Sequence, residues 1–152
     1  MGDSNKDHQS LVLFRIEGQR HALPLSAVER VIRAVAVTPA PEEPAFVLGL
    51  MNMAGRVLPV VSLRACLGLP NRPIRPEDQF VIARTSRLTM GLVVDEVLGL
   101  NTGDVAHTVA VKDTLPGGAC HVHGLVKIDG DIVLICDLET LIRQDDSPVR
   151  GL

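Results

Sequence analysis

Short apolar segments separated by turn-forming residues follow one another along most of this chain. The segments are rich in Val, Ile and Leu and are bounded by Gly, Pro, Asn or Asp, a pattern typical of short β-strands joined by turns. Glu17–Gly18 and Asp129–Gly130 stand where hairpin turns are expected. Strands are therefore predicted at residues 11–16, 22–25, 57–61 (buried), 80–83, 90–94, 124–128 and 132–135.

Helices are expected to be few and short. Residues 63–67 fit a helix that ends at Gly68 and Pro70, and residues 138–143 fit a closing helix. Residues 27–32 fit either a strand or a helical turn. The stretch 38–46 (TPAPEEPAF) contains three prolines and is predicted to be an extended loop, with a second turn-rich joint at 71–78. Polar ends at 1–10 and 144–152 leave one domain at residues 11–143.

The second half of the chain resembles the first. At an offset of 66, Phe14 falls on Phe80 and the segment from 28 to 31 falls on 94 to 97. Further along the offset becomes 75, so that Gly49 meets Gly124 and Gly55 meets Gly130. These matches indicate an internal duplication with approximate halves 11–70 and 78–143. Each half alone has little core, so we expect two small β-barrels packed side by side, with a groove between them for a partner helix or loop. The sequence leaves open whether the first strand is exchanged between the barrels.

Composition and charge narrow the class of protein. The chain has 152 residues, a net charge of −3, no Trp and no Tyr, which disfavours a basic, aromatic nucleic-acid surface. No apolar run is long enough to span a bilayer, and the polar first ten residues lack the apolar core of a secretory signal. The cysteines at 66, 120 and 136 share no motif spacing. A cytoplasmic globular protein is expected.

No pattern of catalytic residues stands out. Cys120, His121 and His123 lie close enough in sequence to begin a metal site, and a small metal-dependent enzyme is the alternative that they suggest, but no further ligand spacing completes it. Surface charge is the simpler interpretation of the remaining carboxylates, and no nucleophile or phosphate-binding motif is present. We therefore expect a non-enzymatic binding module without cofactor or metal. The carboxylates concerned are Asp95, Glu96, Asp129, Asp131, Asp137 and Glu139.

The segment 49–64 (GLMNMAGRVLPVVSLR) resembles the signature of the CheW-like domain family, which reads G-x-x-N-x-R-G-x-x-x-P-V-x-D-L-R. The segments 22–33, 38–39, 91–97 and 134–138 resemble further family elements in the family's order, so the resemblance covers about residues 11–143. The matching signature residues are Gly49, Asn52, Gly55, Pro59, Val60, Leu63 and Arg64.

This resemblance implies two small five-stranded barrels of the SH3-like type and a non-enzymatic chemotaxis adaptor. In such a protein, one barrel docks the regulatory domain of a CheA-type histidine kinase, and the groove receives the tip of a chemoreceptor. Membrane association would come only through receptor arrays, with no direct insertion and no nucleic acid. The candidate interface residues are Arg30, Asn52, Ala54, Arg56, Val94, Asp95 and Glu96.

Two of these positions depart from the family pattern. Ala54 replaces the arginine of N-x-R-G, and Arg30 replaces the glutamate of V-x-E-V, whereas Glu96 in the second half keeps an acid. Such charge changes act on partner choice more than on affinity. They motivate an alternative, a CheW-like scaffold for another motility or second-messenger output. Arg56 lies two residues from Ala54 on the same strand face, so it can also substitute for the missing arginine.

Overall fold

A computed structural model of the chain describes residues 10–40, 46–101 and 122–139. In these ranges the fold is almost entirely β, with one 3₁₀ turn (Leu25–Ala27), one short α-helix, α1 (Leu63–Cys66), and a second helical segment that begins at Leu138. No helix in the described ranges has the length and apolar composition needed to cross a membrane. The strands are β1 (Leu11–Ile16), β2 (Gln19–Pro24), β3 (Val28–Arg33), β4 (Val47–Met53), β5 (Arg56–Ser62), β6 (Gln79–Arg84), β7 (Thr89–Val94), β8 (Glu96–Asn101), β9 (Val122–Ile128) and β10 (Asp131–Cys136).

All seven predicted strands are present, and two further strands, β4 and β8, were not predicted. The ambiguous segment 27–32 is a strand from Val28 onward. Helix α1 confirms the predicted helix at 63–67, and Ser62 caps its first turn by accepting a hydrogen bond from the Ala65 amide at 3.2 Å. Leu138 and Glu139 are helical, and the rest of the predicted closing helix lies outside the described residues.

Three tight hairpins organise the strands. Each turn consists of a residue followed by glycine, and φ is positive at both positions. Positive φ at both central residues matches the type I′ turn, whose twist suits a two-residue hairpin. The predictions at Glu17–Gly18 and Asp129–Gly130 are thus confirmed, and Ala54–Gly55 adds a third turn of the same kind.

The ten strands form two five-stranded sheets that mix the two halves of the chain. Sheet I has the order β8-β1-β2-β10-β9 and sheet II has the order β3-β6-β7-β5-β4. The first two strands of each half therefore belong to the sheet that holds the last three strands of the other half. The exchange that the sequence left open involves two strands from each half. Each sheet has two end strands that are not paired with each other in the described residues, so the description as closed barrels is not confirmed.

The two halves of the chain repeat the same strand pairing, but the first offset differs from the predicted value. Val28 of β3 pairs with Ala83 of β6, and the equivalent pair in the other sheet is Val97 of β8 with Phe14 of β1. The first three strands of the two halves are therefore related by an offset of 69 residues (97 − 28 = 69). The last two strands of each half keep the predicted offset of 75 residues. Val60 pairs with Gly91 in sheet II, and the equivalent pair in sheet I is Ile135 with Ala22. The predicted offset of 66 is therefore wrong by three residues for the first three strands.

Among the described residues, the buried apolar side chains form three clusters. Sheet I encloses one cluster around Leu11 and Ile135, and sheet II encloses an equivalent one around Phe80 and Val60. A third, larger cluster lies between the sheets and contains Phe14 of sheet I together with residues of β5, β6 and β7. The free energy gained by burying apolar groups is roughly proportional to the area buried, and this cluster is the largest of the three. It therefore holds the two sheets together.

The edges of sheet II are connected by a short segment that we call the strap (residues 34–40). Thr38 and Leu50 exchange two backbone hydrogen bonds, each of 2.8 Å. Gly49 allows this approach, because a Cβ at that position would lie 2.2 Å from the Thr38 carbonyl oxygen. The strap thus links β3 to β4 and curls sheet II around its own cluster.

His21 is an unusual member of the core. Its side chain is buried on β2 and stacks on Phe14 at a ring separation of 5.8 Å. Its Nδ1 atom has no hydrogen-bond partner among the described residues. Burial lowers the pKa of His21 to about 4, because desolvation disfavours the charged ring. His21 is therefore neutral in the folded protein near pH 7.

Candidate partner-binding surfaces

The first group of candidate residues lies at the tip of the β4–β5 hairpin. Asn52 ends the exposed face of β4, and its Oδ1 accepts a hydrogen bond from the Gly55 amide at 2.9 Å. Ala54 occupies the left-handed position of the turn with φ of 52°. Arg56 follows at the start of β5 and is exposed. The Asn52 amide nitrogen therefore remains available as a donor on this exposed tip.

Strand β3 lies beside this hairpin tip. Arg56 Nη1 is 3.1 Å from Glu29 Oε1, so an ion pair connects β5 to β3. Arg30, the next residue of β3, is exposed and forms no ion pair with any described residue. The structure thus brings Arg56 close to the strand that carries Arg30. It also ties Arg56 to an acid of its own chain, which a substitute for the family arginine would need to release.

Apolar side chains accompany these polar groups. Leu50, Asn52 and Val57 share the outer face of the hairpin, since Asn52 lies directly opposite Val57 and two residues from Leu50. Val57 is 64% exposed and Leu50 is 39% exposed. The prediction that strand 57–61 is buried is therefore wrong at Val57 and correct at Val60. Leu50 and Val57 therefore form a small exposed apolar patch with polar groups around it, and an apolar centre with a polar rim is the arrangement found at protein-binding surfaces.

The second group of candidates lies elsewhere, at the junction of β7 and β8. Val94 is fully buried in the cluster between the sheets, so it supports the surface from below. Glu96 pairs with Arg15 of β1, and both side chains are half-exposed. Asp95 is mostly buried and accepts a hydrogen bond from the Glu17 amide at 3.0 Å. The interpretation of Asp95 as plain surface charge is therefore wrong.

Asp95 is the centre of a charge network that links four parts of the chain. Arg64 of α1 donates to both of its carboxylate oxygens at 2.9 Å and also pairs with Glu17. Arg72 donates to Asp95 at 3.0 Å and holds Asp78 through two further bonds of 2.9 Å. The two parallel bonds between Arg72 and Asp78 combine charge with fixed geometry. We call residues 67–78, between α1 and β6, the connector. The network joins the β1–β2 turn of sheet I to this connector, which precedes β6 of sheet II.

The pKa values of the two acids agree with this arrangement. Burial acts to raise the pKa of Asp78, whose side chain is fully enclosed, and that of Asp95. Hydrogen bonds from Arg72 to Asp78, and from the Glu17 amide and Arg64 to Asp95, outweigh burial and hold both pKa values below normal. Both acids are therefore charged near pH 7.

Sequence reasoning missed most of this network. Arg64 appeared only as a matched signature residue and Glu17 only as a turn residue, and Arg72 and Asp78 were not singled out at all. The residues that meet at Asp95 are separated by up to 78 positions, so no local pattern reveals them. The only available signal was the pair of arginines and the two adjacent acids, Glu77 and Asp78, in the turn-rich joint at 71–78.

The corrected offset changes one comparison between the halves. The sequence comparison treated Glu96 as the equivalent of Arg30. In the structure, Arg30 pairs with Ile82, and the equivalent pair in sheet I is Gly99 with Leu13. Both pairings contain a bulge at this point, which displaces the register by one residue. Gly99, and not Glu96, is therefore the equivalent of Arg30, so the second half has no charged residue at this position.

The metal alternative is not supported by any described cluster. No group of three His, Cys, Asp or Glu residues comes together to hold a metal ion within the described ranges. Cys120 and His121 lie outside those ranges, and for His123 only the backbone strand is described. Asp129 lies in the β9–β10 turn and Asp131 directly follows it, with its Oδ2 3.5 Å from Arg20 Nη2.

Comparison with known proteins gives consistent matches. The model of the CheW-like domain matches residues 10–146. The chain is 31% identical over 146 residues to "Chemotaxis protein CheW" of Thermotoga maritima, covering 95% of this chain and 93% of that protein. It is 33% identical over 132 residues to "Protein FrzA" of Myxococcus xanthus, covering 83% and 79% of the two chains.

A solved structure shares the fold. It is the scaffolding protein TtCheW from Thermoanaerobacter tengcongensis, with a TM-score of 0.77 and 24% identity over 84% of this chain and 88% of that chain. The mainly β prediction is confirmed by this likeness and by the strands described above. With its signature segment placed on the β4–β5 hairpin and the family model matching nearly its whole length, this chain belongs to the CheW-like domain family.

Proposed function

We propose that this chain is a non-enzymatic chemotaxis adaptor that couples chemoreceptors to a CheA-type histidine kinase in the cytoplasm. The observation that carries the proposal is the family match over residues 10–146, together with relatives named chemotaxis protein CheW that align over nearly the full chain. The two equivalent sheets support it, because a repeated β scaffold offers two separate binding surfaces to two partners. Solvated apolar residues on the β4–β5 hairpin support it as well.

The candidate residues divide this proposed role between two places. The β4–β5 tip with Asn52, Ala54 and Arg56, next to Arg30 on β3, offers exposed groups for direct contact. The β7–β8 junction is held in place by the Asp95 network, so it acts by fixing the neighbouring surface. Of its residues, Glu96 is the most exposed.

Co-purification tests the adaptor role. The chain, the kinase and a soluble receptor tip from the same cell are mixed, and complexes are separated by size. We expect one complex that contains all three proteins and that is lost when the chain is left out. Absence of binding between the chain and the kinase would refute the proposal.

Substitution of Arg56 tests the surface. Arg56→Ala removes the cation of an exposed ion pair, so the free energy of unfolding should change by less than about 1 kcal/mol. It also leaves Glu29 without its cation, and we expect weaker partner binding. Unchanged binding would show that the contact surface lies elsewhere.

A scaffold for a different motility or second-messenger output is the second candidate. The departures at Arg30 and Ala54 favour it, and so does the similarity to a relative with a different name, "Protein FrzA". A pull-down from the source cell that returns another enzyme in place of a CheA-type kinase would select this candidate.

A further inference from the structure

The chain crosses between the two sheets at two places in the described residues. One crossing is the 3₁₀ turn between β2 and β3 (Leu25–Ala27), and the other is Asp95, between β7 and β8. At the offset of 69, Asp95 corresponds to Ser26 in the 3₁₀ turn (95 − 69 = 26), so the two crossings are equivalent positions of the duplication. Short crossings of this kind are places where one part of a fold can rotate against another.

The crossing at Asp95 is bonded to both sheets. Towards sheet I, the Asp95 amide donates to the Arg15 carbonyl oxygen at 3.0 Å, and the carboxylate accepts from the Glu17 amide at 3.0 Å. Towards sheet II, Arg64 and Arg72 donate to the same carboxylate. Arg64 also pairs directly with Glu17 across the joint. A rotation of one sheet against the other would therefore break bonds to this mostly buried carboxylate.

The side of the joint near Ser26 has different chemistry. Glu139 stands there at the position equivalent to Arg64 (64 + 75 = 139), and it accepts hydrogen bonds from the Ser86 amide at 2.9 Å and hydroxyl at 3.0 Å. Glu139 and Ser86 are both exposed. Arg84, also exposed, donates to the Ser26 carbonyl oxygen at 3.4 Å. Because exposed groups exchange such bonds for bonds to water at little cost, these residues should hold the angle between the sheets less firmly.

The apolar cluster between the sheets and the Asp95 network act on the joint in different ways. Apolar attraction is non-directional, so the cluster holds the sheets together without requiring one angle. Charge-assisted hydrogen bonds are directional, and Arg72 adds two parallel bonds to Asp78 beside the first strand of the second half. In some proteins, buried ion pairs contribute more to the choice of one arrangement than to net stability. The network is thus the part of the joint suited to select the angle.

We propose that the Asp95 network fixes the angle between the two sheets and so presents a partner on one sheet to a partner on the other in one orientation. The second of these roles rests on the proposed function. A scaffold that is already in the right geometry loses less conformational entropy when a complex forms. Weakening the network should therefore impair assembly of the three-protein complex more than binding of either partner alone.

Distances between spin labels test the angle without any partner. A ketone-bearing amino acid at Val57 of sheet II and at Ile132 of sheet I accepts a label that does not react with cysteines, and both positions are exposed. Arg64→Met removes an arginine from the network, and Glu139→Met makes the same replacement at the equivalent position. We expect the width of the distance distribution to increase about twofold in Arg64→Met and to stay near the wild type in Glu139→Met.

Two results would overturn this role of the network. One is a distance distribution in folded Arg64→Met that is as narrow as in the wild type. The other is equal broadening in Glu139→Met, which would mean that any lost contact at the joint loosens it. Melting curves show whether each variant is folded. Asp95→Asn, which keeps the shape of the side chain and removes its charge, takes the place of Arg64→Met in the same comparison if that variant does not fold.

Binding assays test the consequence for partners. The affinity of the chain for the kinase regulatory domain is measured alone and again with the receptor tip at saturation. We expect Arg64→Met to bind each single partner within about twofold of the wild type, but to bind the kinase domain about fivefold more weakly when the receptor tip is present. Equal losses with and without the receptor tip, or no loss in either, would overturn the effect on assembly. If the wild type binds neither partner, the proposed function fails, whereas the label distances still decide whether the network fixes the angle.

Discussion

Acidification should destabilise this protein through His21 at pH values above those at which Asp78 and Asp95 lose their charge. The ring is buried, stacked on Phe14, and its pKa is about 4 in the folded chain against 6.5 for an unperturbed histidine. When folding lowers the pKa of a group, the associated stability is fully present at pH values above the pKa that the group has in the unfolded chain. That stability is lost as pH falls from 6.5 towards 4, because the unfolded chain binds the proton first.

The size of the effect follows from the two pKa values. A shift from 6.5 to about 4 corresponds to about 3 kcal/mol when fully expressed. At pH 5 the same linkage gives a loss of about 2 kcal/mol relative to pH 8. For a chain of this size that loss lowers the melting temperature by about 4–8 °C. Asp78 and Asp95 have lowered pKa values and stabilise above about 3.8, so their contribution disappears only at lower pH.

The assay is urea unfolding of wild type and His21→Met at several values between pH 8 and pH 4.5. Methionine is the matched replacement, because Met90 occupies the equivalent register position in sheet II and is fully buried. We expect the wild type to lose about 2 kcal/mol between pH 8 and pH 5 and the variant to lose much less over the same interval. Identical pH profiles for the two proteins would refute this account of His21.

Three further substitutions test the core, the strap and the charge network. Val60→Asp buries an unpaired charge inside sheet II and should unfold the domain, whereas an unchanged melting temperature would show that β5 is not buried there. Gly49→Ala forces a Cβ against the strap and should cost about 2 kcal/mol or more, while Gly99→Ala, with nothing within 4 Å, should cost less in the same thermal melts. Arg64→Met removes one of the two arginines that pair with the mostly buried Asp95 and should cost about 2 kcal/mol. The matched change at an exposed pair, Arg56→Met, should cost under about 1 kcal/mol, and equal losses would contradict the structural importance of the network.

The local features were predictable from the sequence because they depend on neighbouring residues. The Glu17–Gly18 and Asp129–Gly130 turns follow from the need for positive φ at both positions. Helix α1 follows from the residues that end it, Gly68 and Pro70. The signature segment, which forms β4 and β5, was recognised from its own residues.

The register of the duplication was not predictable in the same way. Phe14 and Phe80 look equivalent in sequence, yet Phe14 packs between the sheets and Phe80 packs inside sheet II. An odd shift along a strand exchanges its two faces. Strands β1 and β6 are buried on both faces, so their apolar pattern is nearly continuous and does not distinguish one register from the other.

Features that depend on distant pairing were also out of reach. The exchange of strands between halves requires β2 to pair in parallel with β10, more than 100 residues away. The Asp95 network has the same origin, since its arginines come from α1 and from the connector. The candidate residues at the β4–β5 tip were found from the family pattern, but the ion pair between Arg56 and Glu29 appears only in the fold.

Reconstituted kinase activity tests the adaptor role most directly. The rate of phosphate incorporation into the CheA-type kinase is measured with receptor tips present, with and without this chain, and then with a receptor ligand added. We expect the kinase rate to respond to the receptor only when the chain is present. A rate that is the same with and without the chain, in the presence of both partners, would contradict the account.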